Sequence, residues 1–284
     1  MSDERAPPAS ILDRTGYELE VEDTFAGPVL DDRLWFPHHL AGWSSREASA
    51  ARFEVGGGLR LRIDADQPPW SPEFDGGTRA SSLQTGVFSG PLGSGIGQVH
   101  FRDELVVRQE QGSVALYTPR YGLFEVRCRA IDDPANMVAF WMIGFGDEPT
   151  HSAEICVCEI FGRDVGTTTA KVGMGVHPFG DQSIEDEFAA EEVGIDARET
   201  HTYSVRWTSA EVAFYVDDAL VKVVGQSPAY PMQFMLDIYE FADGPGAPSP
   251  VDRYPKVFAV EWFRGYRPVA GPDARPPAFR RWPG

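Results

Sequence analysis

Residues 123–130 read LFEVRCRA, and this stretch decides the fold class that the sequence predicts. Apolar side chains stand at positions 124, 126 and 128, whereas charged side chains stand at positions 125, 127 and 129. Successive side chains of a β-strand point to opposite faces of the sheet. The alternation therefore predicts a strand with one buried face and one wet face, which is what an antiparallel sandwich requires.

The same kind of pattern recurs along the chain. Residues 59–64 (LRLRID) and 171–179 (KVGMGVHPF) alternate, and Asp217-Asp218-Ala219 between two apolar runs signals a hairpin. No long segment has the helical period. Residues 181–196 (DQSIEDEFAAEEVGID) are expected to form an acidic loop with at most one helical turn, and residues 67–86 a long loop that carries Trp70. These patterns predict an all-β protein built as a two-sheet antiparallel sandwich.

The length of 284 residues suits one large all-β domain. We expect a mobile polar tail at 1–16, the single domain at 17–268 and an extended tail rich in proline and arginine at 269–284. Three cysteines do not make a disulfide framework. The first residues lack the apolar region of a secretory signal, so a cytoplasmic location is the expectation.

Charge excludes several classes of partner. The formal net charge is −18, from 43 acidic and 25 basic residues. Nucleic acids and anionic membranes would be repelled by such a protein. No run of 18 apolar residues occurs, so no membrane span is predicted. The charge is compatible with a neutral polymer as ligand, and a monomer is expected.

Residues 154–159 read EICVCE and place two carboxylates five positions apart in a β-prone run. In a regular strand Glu154 and Glu159 would point to opposite faces. A β-bulge between them adds one residue and brings both to one face. A glycosidase needs at least two carboxyl groups on the same face for its reaction. The ordinary alternative is an edge strand with two unrelated solvated glutamates.

Several segments together resemble glycoside hydrolase family 16, which includes laminarinases, lichenases and agarases. The resemblance runs over roughly residues 21–268, and it is carried by VEDTFAGPVLDDRLW, YGLFEVRCRA, AFWMIG, EICVCE, HTYSVRWTSAEVAFYVDDALV, YPMQFMLDIYEF and FAVEWFRGYRP. It implies a jelly-roll of the concanavalin A-like kind. It also implies the family motif Glu-x-Asp-x-x-Glu, with the first Glu as nucleophile, the Asp as its helper and the last Glu as acid/base.

The resemblance thus assigns Glu154 as nucleophile and Glu159 as acid/base. The helper position holds Cys156 instead of Asp. A thiol is a weak donor and a weak acceptor, so it cannot supply the same hydrogen bond. We therefore expect a slower enzyme than a typical family member, and a gain in rate when Asp is restored at position 156. The ordinary alternative for Cys156 is a small buried apolar filler.

Five further residues are candidates for binding substrate. In the family a Trp matching Trp141 lies beside the cleft, although a core position is the equal alternative. The segment GVHPFG places His177 where the resemblance implies contacts with sugar hydroxyls or a catalytic carboxylate, against a purely structural role. Gln233, Asp237 and Tyr239 alternate on one face of a strand and are expected to line the cleft.

No metal is expected in the reaction. His38 and His39 form a pair, but no carboxylate or Cys stands at metal-ligand spacing from them, so no zinc site is predicted. The family often binds one structural Ca²⁺, and the matching positions are Glu22 or Asp23 and Glu261. Their oxygen atoms are suitable ligands, and a structural calcium is left open.

Three functions remain open at this point. The favoured one is a retaining, endo-acting glycoside hydrolase that cleaves β-linkages of a polysaccharide, with β-glucan as the favoured substrate. The second is a non-catalytic or weakly active carbohydrate-binding protein, supported by Cys156 and by Met137, which stands where the family usually has Trp. The third is an intracellular sandwich without a glycan role. The pair Glu154 and Glu159 favours the first, because a lectin has no need of it.

Overall fold

The structure is a computed structural model that describes residues 11–241 and 253–277. Strands dominate the described residues, with one short helix, α1 (Pro72–Asp75), and 3₁₀ turns at Ala41–Trp43 and Gly162–Asp164. The strands are β1 (Tyr17–Asp23), β2 (Arg52–Glu54), β3 (Leu59–Ile63), β4 (Arg79–Gln84), β5 (Gly86–Val87), β6 (Val114–Ala115), β7 (Gly122–Arg129), β8 (Asn136–Gly144), β9 (Glu154–Phe161), β10 (Ala170–His177), β11 (Ala189–Val193), β12 (His201–Trp207), β13 (Val212–Val216), β14 (Ala219–Val224), β15 (Met232–Glu240) and β16 (Lys256–Pro268).

Two antiparallel sheets form the sandwich. The eight-stranded sheet has the order β14-β13-β12-β7-β16-β3-β2, with β1 paired to β16, and the six-stranded sheet has the order β11-β10-β9-β8-β15-β4. A small sheet pairs β5 with β6. Neighbours far apart in sequence, such as β7 and β16, are typical of a jelly-roll and not of a simple meander. The predicted fold class, an all-β two-sheet antiparallel jelly-roll, is confirmed.

The space between the two sheets is filled by an apolar core with an aromatic centre. The Phe234 ring on β15 lies 4.7 Å from the Phe124 ring, 5.1 Å from the Phe263 ring and 5.5 Å from the Tyr117 ring. Phe234 is fully buried. Its contacts join both sheets, because Phe124 and Phe263 belong to the eight-stranded sheet.

Phe234→Ala is expected to lower the free energy of unfolding by about 3–5 kcal/mol, since truncating a buried Phe loses transfer energy and leaves a cavity. Urea denaturation followed by intrinsic fluorescence measures the change. The matched control is Phe179→Ala, because the Phe179 side chain is 40% exposed. A Phe234→Ala loss below 1 kcal/mol would contradict the central position of this ring in the core.

Strand β7 follows the predicted alternation of buried and exposed side chains on its inner face but not on its outer face. Phe124, Val126 and Cys128 point into the core as predicted. Glu125 on the opposite face is only 1% exposed, so this face is not wet there. The Arg14 guanidinium covers it and donates to its carboxylate. A chain segment that the alternation cannot reveal therefore covers the outer face of this sheet.

The described parts of both predicted tails pack against the domain. Leu12 is buried in a small apolar cluster with Tyr215, and Arg14 bridges Glu125 and Asp218. At the other end, the Arg275 guanidinium forms an ion pair of 2.8 Å with the buried Glu20. Residues 11–16 and 269–277 are thus ordered parts of the fold, and the rest of both predicted tails lies outside the described residues.

Two segments predicted to be loops contain strands. Within 67–86 the chain forms α1 and then β4. The sequence does not indicate β4 as a strand, because the strand contains the polar residues Ser81, Ser82 and Gln84, which are all fully buried. Within 181–196 the chain forms β11, an exposed acidic edge strand without apolar alternation.

The hairpin at Asp217-Asp218 is confirmed, with both residues at positive φ between β13 and β14. No helix in the described ranges is long and apolar enough to cross a membrane.

Candidate active site

A β-bulge in β9 organises the site. On β8 the consecutive residues Phe140 and Trp141 pair with Cys158 and Cys156, so Val157 is the extra residue. The pairing of β10 with β9 shifts at the same place. A bulge lets two consecutive residues face the same way and reverses the alternation beyond it. The structure therefore contains the bulge that the sequence predicts between the two glutamates.

The bulge places Glu154, Cys156 and Glu159 on the outer face of the six-stranded sheet, where all three line one cavity. Val157 and Cys158 both point into the inter-sheet core. The cavity encloses about 670 Å³ including the open solvent at its mouth. The remaining lining residues are His39, Leu40, Trp70, Asp75, Val99, Phe101, Met137, Ala139, Trp141 and Tyr239.

Two further cavities adjoin this one, each through a shared lining residue. A second cavity shares Val99 with it and is lined by several glycines and by the exposed ring of Phe179. A third shares Asp75 with it and is lined by Phe161 and Arg163, among others. Space for a ligand therefore continues on two sides of the carboxylates.

Burial dominates the electrostatics of the two carboxyls. Glu154 is 9% exposed, and burial raises its pKa well above the usual value, with the negative charges of Glu159 and Asp237 adding to the effect. Burial also raises the pKa of Glu159, while His177, the Cys156 thiol and Arg163 partly offset the rise. A raised pKa suits a carboxyl that must donate a proton at neutral pH.

Glu154 has a less favourable environment for a nucleophile. No described residue donates a hydrogen bond to its side chain. An ionised carboxylate is stabilised by such donors, and its pKa falls when they are present. The site thus provides little to hold Glu154, the predicted nucleophile, in its charged form.

Cys156 lies beside Glu159. Its Sγ is 3.9 Å from Glu159 Oε2 and 3.7 Å from the carbonyl oxygen of Gly173, and it is buried. Burial raises the pKa of the thiol well above its usual value, and the carboxylates of Glu159 and Glu154 raise it further. The neutral thiol is therefore the stable form, and its hydrogen-bond partner among the two carboxyls is the predicted acid/base, Glu159.

The five predicted substrate-binding residues take different positions. Trp141 and Tyr239 line the cavity. Asp237 lies behind that wall, fully buried, and Trp141 Nε1 donates to its Oδ2 over 2.6 Å. Gln233 is not among the residues that line the cavity, and its side chain is fully buried. His177 does not line the cavity either, although its charge lowers the pKa of Glu159.

The two residues outside the cavity have partners of their own. Gln233 forms a buried amide cluster with Gln84 and Gln98, which its alternation with Asp237 on β15 could not reveal. His177 Nδ1 lies 3.0 Å from Asp186 Oδ2, and its ring stacks on Phe188 at 4.6 Å. Gln233 and His177 therefore each have structural contacts that account for their positions.

Sequence reasoning missed several residues of the cavity because they come from loops. Trp70 precedes α1, and its Nε1 donates to Asp75 Oδ2 over 2.7 Å. Val99 and Leu40 have positive φ values of 52° and 44°, which residues with branched or bulky side chains rarely adopt. His39 lines the cavity from the segment before β2, and in the sequence it was considered only as part of a possible zinc motif with His38.

The residues matched to a structural calcium site have hydrogen-bond or ion-pair partners within the protein. Glu22 Oε1 accepts from Arg264 Nε over 2.7 Å, and Glu261 Oε2 accepts from Arg127 Nε over 2.9 Å. Asp23 accepts hydrogen bonds on both of its oxygens, from a backbone N–H and from an indole. Among residues 11–241 and 253–277 no cluster of three or more metal-binding side chains occurs.

Comparison with known proteins points to one family. The family described as glycosyl hydrolases family 16 matches residues 105–241, a little under half of the chain. This range includes β9 and both glutamates of the cavity. Two curated relatives from Rhizobium meliloti (strain 1021), the endo-1,3-1,4-beta-glycanases ExsH and EglC, are 34% and 31% identical over 106 residues. Each match covers 37% of this chain but only 21% of the relative's length.

Solved structures extend the likeness over nearly the whole chain. A GlcNAcα1-4Gal releasing endo-β-galactosidase from Clostridium perfringens has a TM-score of 0.78 and 28% identity, covering 92% of this chain and 66% of its own. The catalytic domain of an endo-1,3-beta-glucanase (laminarinase) from Thermotoga petrophila RKU-1 has a TM-score of 0.62 and 18% identity, covering 89% of this chain and 99% of its own. These likenesses agree with the jelly-roll sandwich described above.

Proposed function

We propose that this protein is a family 16 glycoside hydrolase that cleaves internal β-linkages of a polysaccharide with retention of configuration. The observation that carries the proposal is the bulge at Val157, which brings Glu154 and Glu159 into one cavity that two further cavities adjoin. Polysaccharide or oligosaccharide is the expected partner. β-Glucan is the favoured substrate, in line with the names of the Rhizobium relatives.

The reaction proceeds in two displacements. Glu154 attacks the anomeric carbon as a carboxylate, and protonated Glu159 gives its proton to the oxygen of the departing sugar. The resulting glycosyl ester on Glu154 is then attacked by water, whose proton returns to Glu159. This mechanism needs the two carboxyl groups about 5–5.5 Å apart. Burial, which raises the pKa of Glu159, supports its role as the acid.

The adjoining cavities support attack within a chain instead of at its end. Cavities adjoin the catalytic one through Val99 and through Asp75, so sugar units can be bound on both sides of the scissile bond. An exo-acting site is usually closed beyond one sugar unit. We therefore propose endo-acting cleavage.

A galactose-containing glycan is the second candidate substrate. The likeness to the Clostridium endo-β-galactosidase covers 92% of this chain, far more than the part shared with the glycanases. A second candidate function, carbohydrate binding with weak or absent turnover, is favoured by the Glu154 carboxyl, which lacks a described donor.

A panel of β-1,3-glucan, mixed-linkage β-glucan and galactans tests the proposal. New reducing ends of intermediate length, with the β-anomer formed first in proton NMR spectra, are the expected result. Retarded migration in gels containing a polysaccharide, without any product, would indicate the binding protein instead. Neither products nor retardation on any glycan would refute both functions.

Cys156→Asp is expected to raise kcat/KM by about tenfold, which corresponds to about 1.4 kcal/mol of transition-state stabilisation. The change restores the carboxyl group that the family motif places between the two glutamates, and a hydrogen bond from it to Glu154 would favour the ionised nucleophile. A hydrogen bond to a charged group contributes about 1.5–3 kcal/mol, enough for this gain. Initial rates on the best substrate of the panel measure the change.

Cys156→Ser is the matched control, since it replaces the thiol by a hydroxyl of similar size without adding a carboxyl group. We expect its rate to lie between those of wild type and Cys156→Asp. Unchanged or lower activity in a well-folded Cys156→Asp variant would mean that Cys156 belongs to a differently tuned site.

A further inference from the structure

The wall of the cavity contains a buried histidine with a defined orientation. His39 is 3% exposed and lines the same cavity as Glu154 and Glu159. Its Nδ1 lies 2.6 Å from Ser82 Oγ and 3.2 Å from Asp237 Oδ1. Ser82 and Asp237 are directly paired on the neighbouring strands β4 and β15. The ring is therefore attached through one nitrogen to a rigid sheet.

The hydrogen-bond pattern determines which nitrogen of His39 carries the proton. Ser82 Oγ donates to Asp237 Oδ1, so its oxygen can only accept from His39. The carboxylate of Asp237 also accepts only. His39 Nδ1 must then carry a hydrogen, and in the tautomer that has its hydrogen on Nδ1 the other ring nitrogen, Nε2, is an acceptor.

The opposite edge of the ring faces the cavity. Nδ1 points to the wall, so Nε2 is directed into the space that His39 lines, and no described residue bonds to it. The rings of Trp70 and Tyr239 meet the imidazole edge-on at 4.5 Å and 5.3 Å and prevent it from turning. The protein thus presents a fixed, unpaired acceptor next to its catalytic carboxylates.

We infer that His39 is a sugar-binding residue whose Nε2 accepts a hydrogen bond from a hydroxyl group of the sugar unit in the catalytic cavity. Ser82 and Asp237 are positioning residues that act through His39. The inference rests on the proposed function, since it names a contact of the same substrate. A sugar hydroxyl suits this site because it can donate to Nε2 and accept from another group at the same time.

His39→Asn tests the contact. The amide nitrogen of Asn lies near the position of Nδ1 and can still donate to Ser82 and Asp237, whereas the acceptor at the cavity is removed. With the best substrate from the polysaccharide panel, KM is expected to rise roughly five- to tenfold, as for the loss of one hydrogen bond, with a smaller change in kcat. His38→Asn is the matched control, because His38 bonds to the backbone oxygen of Arg46 and does not line the cavity.

Asp237→Asn provides a second, independent variant. The amide oxygen of the new Asn can accept from Trp141, so its amide N–H₂ must face His39 Nδ1. Because Nδ1 then has to accept, the ring proton of His39 moves to Nε2. The acceptor becomes a donor without any loss of volume, so KM should rise as in His39→Asn. The double variant should be no worse than either single variant, because both remove the same contact.

The outcomes separate the two proposals. KM values of folded His39→Asn and Asp237→Asn within twofold of wild type would overturn the role of His39 while leaving the hydrolase intact. Additive losses in the double variant would also overturn it, since the two residues would then act separately. Absence of turnover in the wild-type protein on every glycan would instead refute the proposed function itself.

Discussion

Glu154→Gln is expected to lower kcat/KM by at least about 10⁴-fold on any substrate that the wild-type protein cleaves. The amide keeps the shape of the side chain but cannot attack the anomeric carbon. Single-turnover assays with an aryl glycoside measure the loss directly. The matched control is Glu54→Gln, at an exposed position on β2 in the other sheet, which should retain wild-type rates.

The same variant should be more stable than wild type at neutral pH. Burial raises the pKa of Glu154 in the folded protein above the ordinary value of 4.5, so the folded state binds a proton that the unfolded state has released. Stability is therefore lost as pH rises above 4.5, and the neutral amide avoids this loss. Urea denaturation at pH 7 should show a higher midpoint for Glu154→Gln, with the difference vanishing well below pH 4.5.

An inactive but destabilised Glu154→Gln would not support the nucleophile, since partial unfolding would explain the loss. An active variant would remove Glu154 from that role altogether. Azide gives a further check with Glu154→Ala, because attack on the vacated face should yield the α-glycosyl azide.

Glu159→Ala is expected to lower kcat/KM on polysaccharide by about 10²–10⁴-fold, the usual contribution of a general acid. Aryl glycosides with good leaving groups need no acid and should react nearly normally in the first displacement. Azide should then restore turnover with the β-glycosyl azide as product, because Glu154 still forms the glycosyl ester. The stereochemistry of the two azide products thus assigns the two roles separately.

The pH profile tests the same residue. Burial raises the pKa of Glu159 above the ordinary 4.5, so the acid stays protonated to a higher pH than an exposed glutamate would. The basic limb of the wild-type kcat/KM profile should therefore lie above pH 4.5, and it should disappear in Glu159→Ala on aryl glycosides. A basic limb that persists in the variant would mean that another group titrates.

The sequence predicted the strands in which one face is buried and the other is not, because such strands alternate apolar and polar side chains. Strand β7 alternates because its inner side chains, Phe124, Val126 and Cys128, meet the core. The bulge was predictable because only an extra residue can bring Glu154 and Glu159 together on an otherwise regular strand. Local patterning thus carried the fold class, whereas the resemblance of the flanking segments to family 16 favoured the bulged carboxylate pair over an edge strand with two unrelated glutamates.

The parts that the sequence could not predict depend on contacts between distant segments. Strand β4 is covered on both sides, so its buried Ser82 reads as a loop residue until Asp237 and His39 are placed beside it. Gln233 shares the alternation of Asp237, yet its side chain is engaged by the amides of Gln84 and Gln98. Alternation shows on which face of the sheet a side chain lies. Whether that side chain lines a cavity depends on the neighbouring strands.

The single extra residue in β9 has a genetic consequence. Before Val157 the even-numbered positions 154 and 156 face the cavities, and after it the odd-numbered positions 159 and 161 do so. Deleting one codon at this point would turn Glu159 into the core and Ile160 outward. A regular strand therefore cannot acquire this carboxylate pair at unchanged spacing by exchanging amino acids alone.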